Sequence, residues 1–202
     1  MDDLVLICPD RRWKAVLEAF LERSKHLGIR DISSQVYCLG AGGSKTLLAQ
    51  AAAIAEQQVQ NFNHCLILLD ADRSGDERDP IEVEASVREV MGSSWEGRAS
   101  AIVASPSLEA WLLEAHRVFA RVPGLRGVDV RQWLSESGLW PMDEAQPDQA
   151  RHAMERLFDA HDARMSAASY RMIAAAYPFR FDRIENPSIR RFIHTLRDWF
   201  SA

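Results

Sequence analysis

Four short apolar runs, Leu4 to Cys8, Ile32 to Leu39, His64 to Leu69 and Ala99 to Ala104, are each followed by a stretch with helical spacing. Runs of that length bounded by Gly, Pro and Asp read as buried strands, and an apolar period of three to four residues reads as a helix packed on a sheet. The first helix carries Trp13, Val16, Leu17, Phe20 and Leu21 and stops at Gly28; the second is expected from Ser44 to Gln60 and the third from Pro80 to Met91. The fourth is opened by Pro106 and runs through Trp111. Repeated alternation of strand and helix predicts an α/β fold: a mostly parallel four-stranded sheet with right-handed crossovers and helices on both faces. Ligands in that architecture bind beyond the C-terminal strand ends, where Asp10, Gly40, Asp70 and Ser105 emerge.

After residue 117 the pattern changes to helices alone, expected over 128–137, 148–159, 166–176 and 186–200, with Gly138, Pro147 and Pro178 as breaks. We therefore expect residues 1–117 to form the α/β core and 118–202 a helical C-terminal extension packed on it. A chain of 202 residues that is 47% apolar can bury one substantial core. It contains no uninterrupted apolar stretch of the roughly 18 residues a membrane span needs, and Met1 is followed by Asp2 and Asp3 where a signal peptide would be basic. The expectation is a cytoplasmic protein that does not engage a membrane. Cys8, Cys38 and Cys65 lie far apart in apolar runs with no Cys-x-x-Cys spacing, so they are expected to be buried thiols, neither zinc ligands nor a redox couple. The net charge of −5 hides a segregation: acids dominate residues 70 to 89, while bases gather at Arg11, Arg12 and Lys14 and again from Arg180 to Arg197.

The strongest chemical signal is Leu66-Ile67-Leu68-Leu69-Asp70-Ala71-Asp72. If the strand period of two continues, Asp70 and Asp72 point to one side and Ala71 to the other. Two carboxylates held that close repel, and a cation between them or one shared proton relieves the repulsion. Hard oxygen ligands select Mg²⁺ or Mn²⁺. An EF-hand loop does not fit, because Ile81 stands where its bidentate Glu belongs. Asp70-Ala71-Asp72-Arg73-Ser74 also resembles the nucleophile motif of haloacid-dehalogenase-type phosphatases, which keeps a phosphatase as an alternative. Gly40-Ala41-Gly42-Gly43-Ser44-Lys45-Thr46 is not a Walker motif, yet glycines ahead of a helix with Lys45 in its first turn suit phosphate binding as well as simple helix capping by Ser44. Glu109 follows the fourth strand at a helix start, where the dipole favours a carboxylate; beside Asp70 and Asp72 it would complete a metal shell.

Together, Gly42-Gly43-Ser44-Lys45 at the second strand end, Leu69-Asp70-Ala71-Asp72, Ser105-Pro106-Ser107-Leu108-Glu109-Ala110-Trp111-Leu112 and the late Asn186-Pro187-Ser188 resemble the TOPRIM-like proteins of prokaryotic defence. Notable among these are the RloB and DUF4276 groups and the TOPRIM half of OLD-family nucleases. The resemblance implies a TOPRIM-like sheet and an Mg²⁺- or Mn²⁺-dependent nuclease, or a nuclease-related subunit, of an anti-phage system. It implies metal on Asp70 and Asp72, with Lys45 and arginines such as Arg73 holding the nucleic-acid backbone, and a partner ATPase. The family also places a catalytic Glu just after the first strand, where this chain reads Cys8-Pro9-Asp10-Arg11; Asp10 is the nearest carboxylate. Either Asp10 substitutes as a catalytic residue beside Asp70 and Asp72, or the fold serves binding without cleavage. Whether the target is DNA or RNA, and whether the chain forms a homo-oligomer, the residues leave open.

Overall fold

The computed structural model of the chain describes residues 1–39, 44–74, 79–91, 93–180 and 182–202, with the backbone alone for 44–47 and 73–74. In chain order it runs β1 (Asp2–Cys8), α1 (Arg11–Leu21), α2 (Ser24–Leu27), β2 (Ser34–Cys38), α3 (Ser44–Gln58), β3 (Phe62–Asp70), α4 (Ala71–Ser74), α5 (Pro80–Val90), β4 (Ala99–Ala104) and α6 (Leu108–Glu114). There follow α7 (Val130–Glu136), α8 (Ala150–Ala160), α9 (Ala167–Ala175) and α10 (Pro187–Phe200). The strands form one four-stranded, all-parallel sheet in the order β2-β1-β3-β4. The α/β class expected from the alternation is the fold observed.

The period of two sorts the strand residues onto two buried faces, as a sheet covered on both sides requires. Leu4, Leu6, Cys8, Val36, Leu66, Leu68, Ile102 and Ala104 share one apolar cluster with residues of α1, α6, α8, α9 and α10. Val5, Ile7, Cys65, Ile67, Leu69, Ala101 and Val103 face the other way, against residues of α3 and α5. From Leu4 to Cys8 each side chain is fully buried, and each large aliphatic one among them contributes about 1.5–3 kcal/mol through burial. Register is therefore strongly specified, because a slip of one residue would exchange the two faces.

Local signals set the helices. Asp10 caps α1 by accepting from the backbone of Arg12 and Trp13, and Trp13, Val16, Leu17 and Phe20 form its buried stripe. Asn186 does the same for α10 through Ser188 and Ile189, with Pro187 in the first turn. Gly28 ends α2 with φ +75°, and a Cβ there would come within 2.9 Å of the Arg197 guanidinium. The first helix, expected to run to Gly28, breaks after Leu21 and resumes as α2, and two further departures from the sequence reading bear on the site. Strand β3 stops at Asp70 and the backbone turns at once into the short helix α4, so the period of two does not carry Asp72. Helix α6 starts at Leu108 and not at Pro106, with Ser107 as its N-cap residue. Beyond residue 117, α8, α9 and α10 place Phe158, Tyr170, Phe192 and Leu196 in the same cluster as Leu4 and Trp111. Among the described residues no helix is long and apolar enough to cross a membrane.

Candidate functional site

The strand order reverses direction at the β1–β3 pair: β2 lies on one side, β3 and β4 on the other. Such a switch point opens a crevice at the C-terminal strand ends, and acidic residues collect there. Asp10 follows β1, Asp70 is the last residue of β3, Asp72 lies in α4, and Glu109 occupies the first turn of α6 just past β4. Asp70 and Glu109 are buried, at 2% and 1% exposure, whereas Asp72 is exposed.

What joins them is a cation from the helical half of the chain. Arg151, in the first turn of α8, reaches Asp70 Oδ2 at 3.2 Å, Glu109 Oε1 at 3.4 Å and Asp72 Oδ2 at 3.7 Å. A second guanidinium, that of Arg12, joins Asp10 at 2.8 Å to Glu109 at 3.4 Å. Asp70 Oδ1 accepts from the Leu108 backbone at 2.9 Å and from the indole Nε1 of Trp13 at 3.1 Å. The Trp13 ring is fixed edge-on against Trp111, centroids 5.1 Å apart. The Tyr170 hydroxyl donates to Glu109 Oε1 at 2.6 Å. That oxygen thus has three donors; the buried Oε2 of Glu109 and the buried Ser107 hydroxyl make no hydrogen bond of good geometry, though Ser107 lies near enough to help hold the Glu109 carboxyl down. The Asp72 backbone N–H donates to the Pro106 carbonyl at 3.0 Å, tying α4 to the turn before α6.

The two buried acids titrate apart. Burial, and then the neighbouring Glu109 charge, push the Asp70 carboxyl up to about 6, against the Leu108 N–H, Arg151 and Trp13. Burial acts on Glu109 in the same direction, but the Arg151 charge and the Tyr170 hydroxyl outweigh it and leave Glu109 below its ordinary value. Near neutral pH the pair therefore holds one firm charge on Glu109 and one weakly held charge on Asp70.

The structure thus brings Asp70, Asp72 and Glu109 together through Arg151 and attaches Asp10 through Arg12. Asp10 has a structural occupation, since one oxygen caps α1 and the other pairs with Arg12. Of the expected phosphate-binding set, Gly42 and Gly43 lie outside the described residues, as do the side chains of Ser44, Lys45 and Arg73. Sequence reasoning missed Arg12, Trp13, Arg151 and Tyr170 as site residues. The one signal available was at Arg12, whose neighbourhood is locally basic; Trp13 was expected only as a core anchor, and Arg151 and Tyr170 are single polar groups on amphipathic helices.

Among the described residues no three Asp, Glu, His or Cys side chains are grouped so as to hold a metal ion; the Arg151 guanidinium contacts all three acids of the expected shell. The donor chemistry nevertheless suits a hard divalent cation. Mg²⁺ takes one or two carboxylates and keeps several waters, and a positive group already stands among the acids. The arrangement can bind a cation or anchor a phosphate through two guanidiniums. Compared with protein-family models, with curated proteins and with solved structures, the chain matches none.

Proposed function

We propose that the chain is an Mg²⁺- or Mn²⁺-dependent phosphodiester hydrolase acting on nucleic acid, a nuclease or a nuclease-related subunit, with the cation held by Asp70, Asp72 and Glu109. One observation carries the reading: Asp70, Asp72 and Glu109 meet on one guanidinium at the switch point of a parallel sheet. Arg151 stands in for the cation there. When bound, a divalent cation polarises a phosphate oxygen and acidifies a water. The chain's own groups supply the rest. Trp13 and the Leu108 N–H hold Asp70 in one orientation, Arg151 and Tyr170 keep Glu109 charged, and Arg12 and, where a cation displaces it from the acids, Arg151 are the guanidiniums nearest a substrate phosphate. The resemblance to TOPRIM-like proteins adds the setting, a cytoplasmic anti-phage system with a partner ATPase.

A second reading, a TOPRIM-like module that binds without cleaving, is favoured by Asp10, whose oxygens are engaged by the α1 backbone and by Arg12. A phosphatase using Asp70 as nucleophile has less support, because both Asp70 oxygens accept hydrogen bonds and the residue is buried. The deciding experiment titrates Mg²⁺ and Mn²⁺ calorimetrically into the wild type and an Asp70→Ala/Asp72→Ala variant, alongside cleavage of plasmid, single-stranded DNA and RNA. Metal binding and cutting that both vanish in the variant support the hydrolase. Metal binding without cutting selects the binding module, and a wild type that binds neither cation overturns both.

A further inference from the structure

The sequence separates its cysteines; the sheet pairs two of them. Cys8 ends β1 and Cys38 ends β2, and the two are partners in the parallel register. Both side chains lie on the sheet face that α1 covers, with their Sγ atoms 3.9 Å apart. Neighbouring strands stand about 4.8 Å apart, within the Cα separation that a disulfide spans, so side-chain rotation can bring the sulfurs into bonding distance. The two thiols are not equivalent. Cys8 is fully buried and its S–H points among the carbonyls of Tyr37, at 3.5 Å, and Asp10, at 3.6 Å, and the Cys38 sulfur. Cys38 is half-buried and is the member that solvent reaches. The S–H of Cys8, and behind it the charges of Lys14 and Arg11, draw the Cys38 thiol down against its partial burial and the Asp10 charge, while the Cys38 sulfur and burial push the Cys8 thiol up. Lys14 is held over this strand by its bond to the Val36 carbonyl at 3.3 Å. Cys65 provides an internal contrast: it is buried on the opposite sheet face, where burial pushes its thiol up to about 12.

We propose that Cys8 and Cys38 are a peroxide-reactive thiol pair, with Cys38 as the attacking sulfur and Cys8 as the resolving one. The Cys38 thiolate attacks one oxygen of hydrogen peroxide; the O–O bond breaks, hydroxide leaves and takes up a proton, and Cys38 becomes a sulfenic acid. The Cys8 sulfur then attacks Cys38, the S–O bond breaks, and the hydroxyl departs with the Cys8 proton as water. Two thiols and one peroxide give one disulfide and two waters. The bond joins the ends of β1 and β2, two residues before the Asp10 that positions Arg12. This chemistry is independent of any cation or nuclease activity at the acidic cluster.

The reduced full-length chain, exposed to a small excess of hydrogen peroxide at neutral pH, alkylated and mapped without reduction, tests it directly. The expected product is a monomer lighter by two hydrogens, with a Cys8–Cys38 linked peptide and a free, alkylated Cys65. In a Cys8→Ser variant, dimedone should trap a sulfenic acid on the half-buried Cys38, and on the buried Cys65 at least about tenfold more slowly. The proposal is overturned if the wild type keeps all three thiols, if Cys65 oxidises as fast as Cys38, or if the link joins two chains. The wild-type map decides even if the variant fails to fold.

Discussion

Replacing Arg151 with methionine keeps a long, flexible stem and removes the guanidinium. Asp70 and Glu109 are both nearly inaccessible, and Arg151 gives each a hydrogen bond, at 3.2 and 3.4 Å. Removing one partner of a buried ion pair costs about 3–5 kcal/mol. The lower end applies here, because Glu109 keeps Arg12 and Tyr170 while Asp70 keeps Trp13 and the Leu108 N–H. About 3 kcal/mol corresponds, for a chain of this size, to a fall of roughly 6–12 °C in Tm. The loss depends on pH. Asp70 has a folded value raised from 3.8 to about 6, so the folded state binds the proton more tightly than the unfolded one. Its favourable contribution is complete below 3.8 and is lost as pH rises through about 6. Without Arg151 that value moves higher still, so the variant suffers most where Asp70 must be charged. Urea unfolding followed by tryptophan fluorescence should give a loss of about 3 kcal/mol at pH 8 and about 1 kcal/mol at pH 5. If a cation takes the guanidinium's place, added Mg²⁺ restores part of the pH 8 loss. A loss under about 1 kcal/mol at both pH values, or a larger one at pH 5, would refute the coupling of Arg151 to these acids.

Trp13→Phe keeps the ring against Trp111 but deletes the indole donor to Asp70; we expect about 1.5–3 kcal/mol of destabilisation at pH 8 and an upward shift of the Asp70 carboxyl titration read by NMR. Asn186→Ala removes the cap of α10 and the amide bond to the Ser105 carbonyl, and should cost about 1–2 kcal/mol in urea unfolding. Asp3, paired with Arg30, is held at about 2 by that hydrogen bond. Its contribution is present above 3.8 and lost as pH falls through about 2, so thermal melts of Asp3→Asn should lie slightly below wild type at pH 7 and merge with it in strong acid.

The strands were legible because fully buried parallel strands are apolar runs, and Asp70 stood out as the acid that ends the most apolar of them. Asp72 was misplaced for a physical reason: alternation was extended past the last residue that the sheet hydrogen-bonds, whereas the backbone turns helical directly after Asp70. The Cys8–Cys38 pair was invisible because 30 residues separate the two, and only the parallel register aligns them. Arg151 and Tyr170 left no local trace either. Each is one polar group on a helix whose other features are set by its apolar stripe, and each meets Glu109 only through tertiary packing. Asp10, read as the carboxylate nearest the end of β1, has a structural role that local sequence also encodes, since it caps α1.

The acidic centre is also completed in a fixed temporal order. Its carboxylates leave the ribosome with the sheet, while Arg151 and Tyr170, which hold Glu109, follow it by 42 and 61 residues. At typical synthesis rates that is a delay of roughly 2–12 s. During it the nascent sheet carries its acids without Arg151 and one apolar face without α8, α9 and α10. The same late helices cover that face and seat the last partners of the buried acids. Closure of the centre therefore waits for α8 and α9, and a product truncated before α9 keeps the Asp-Ala-Asp string but lacks Tyr170, one of the groups that holds Glu109.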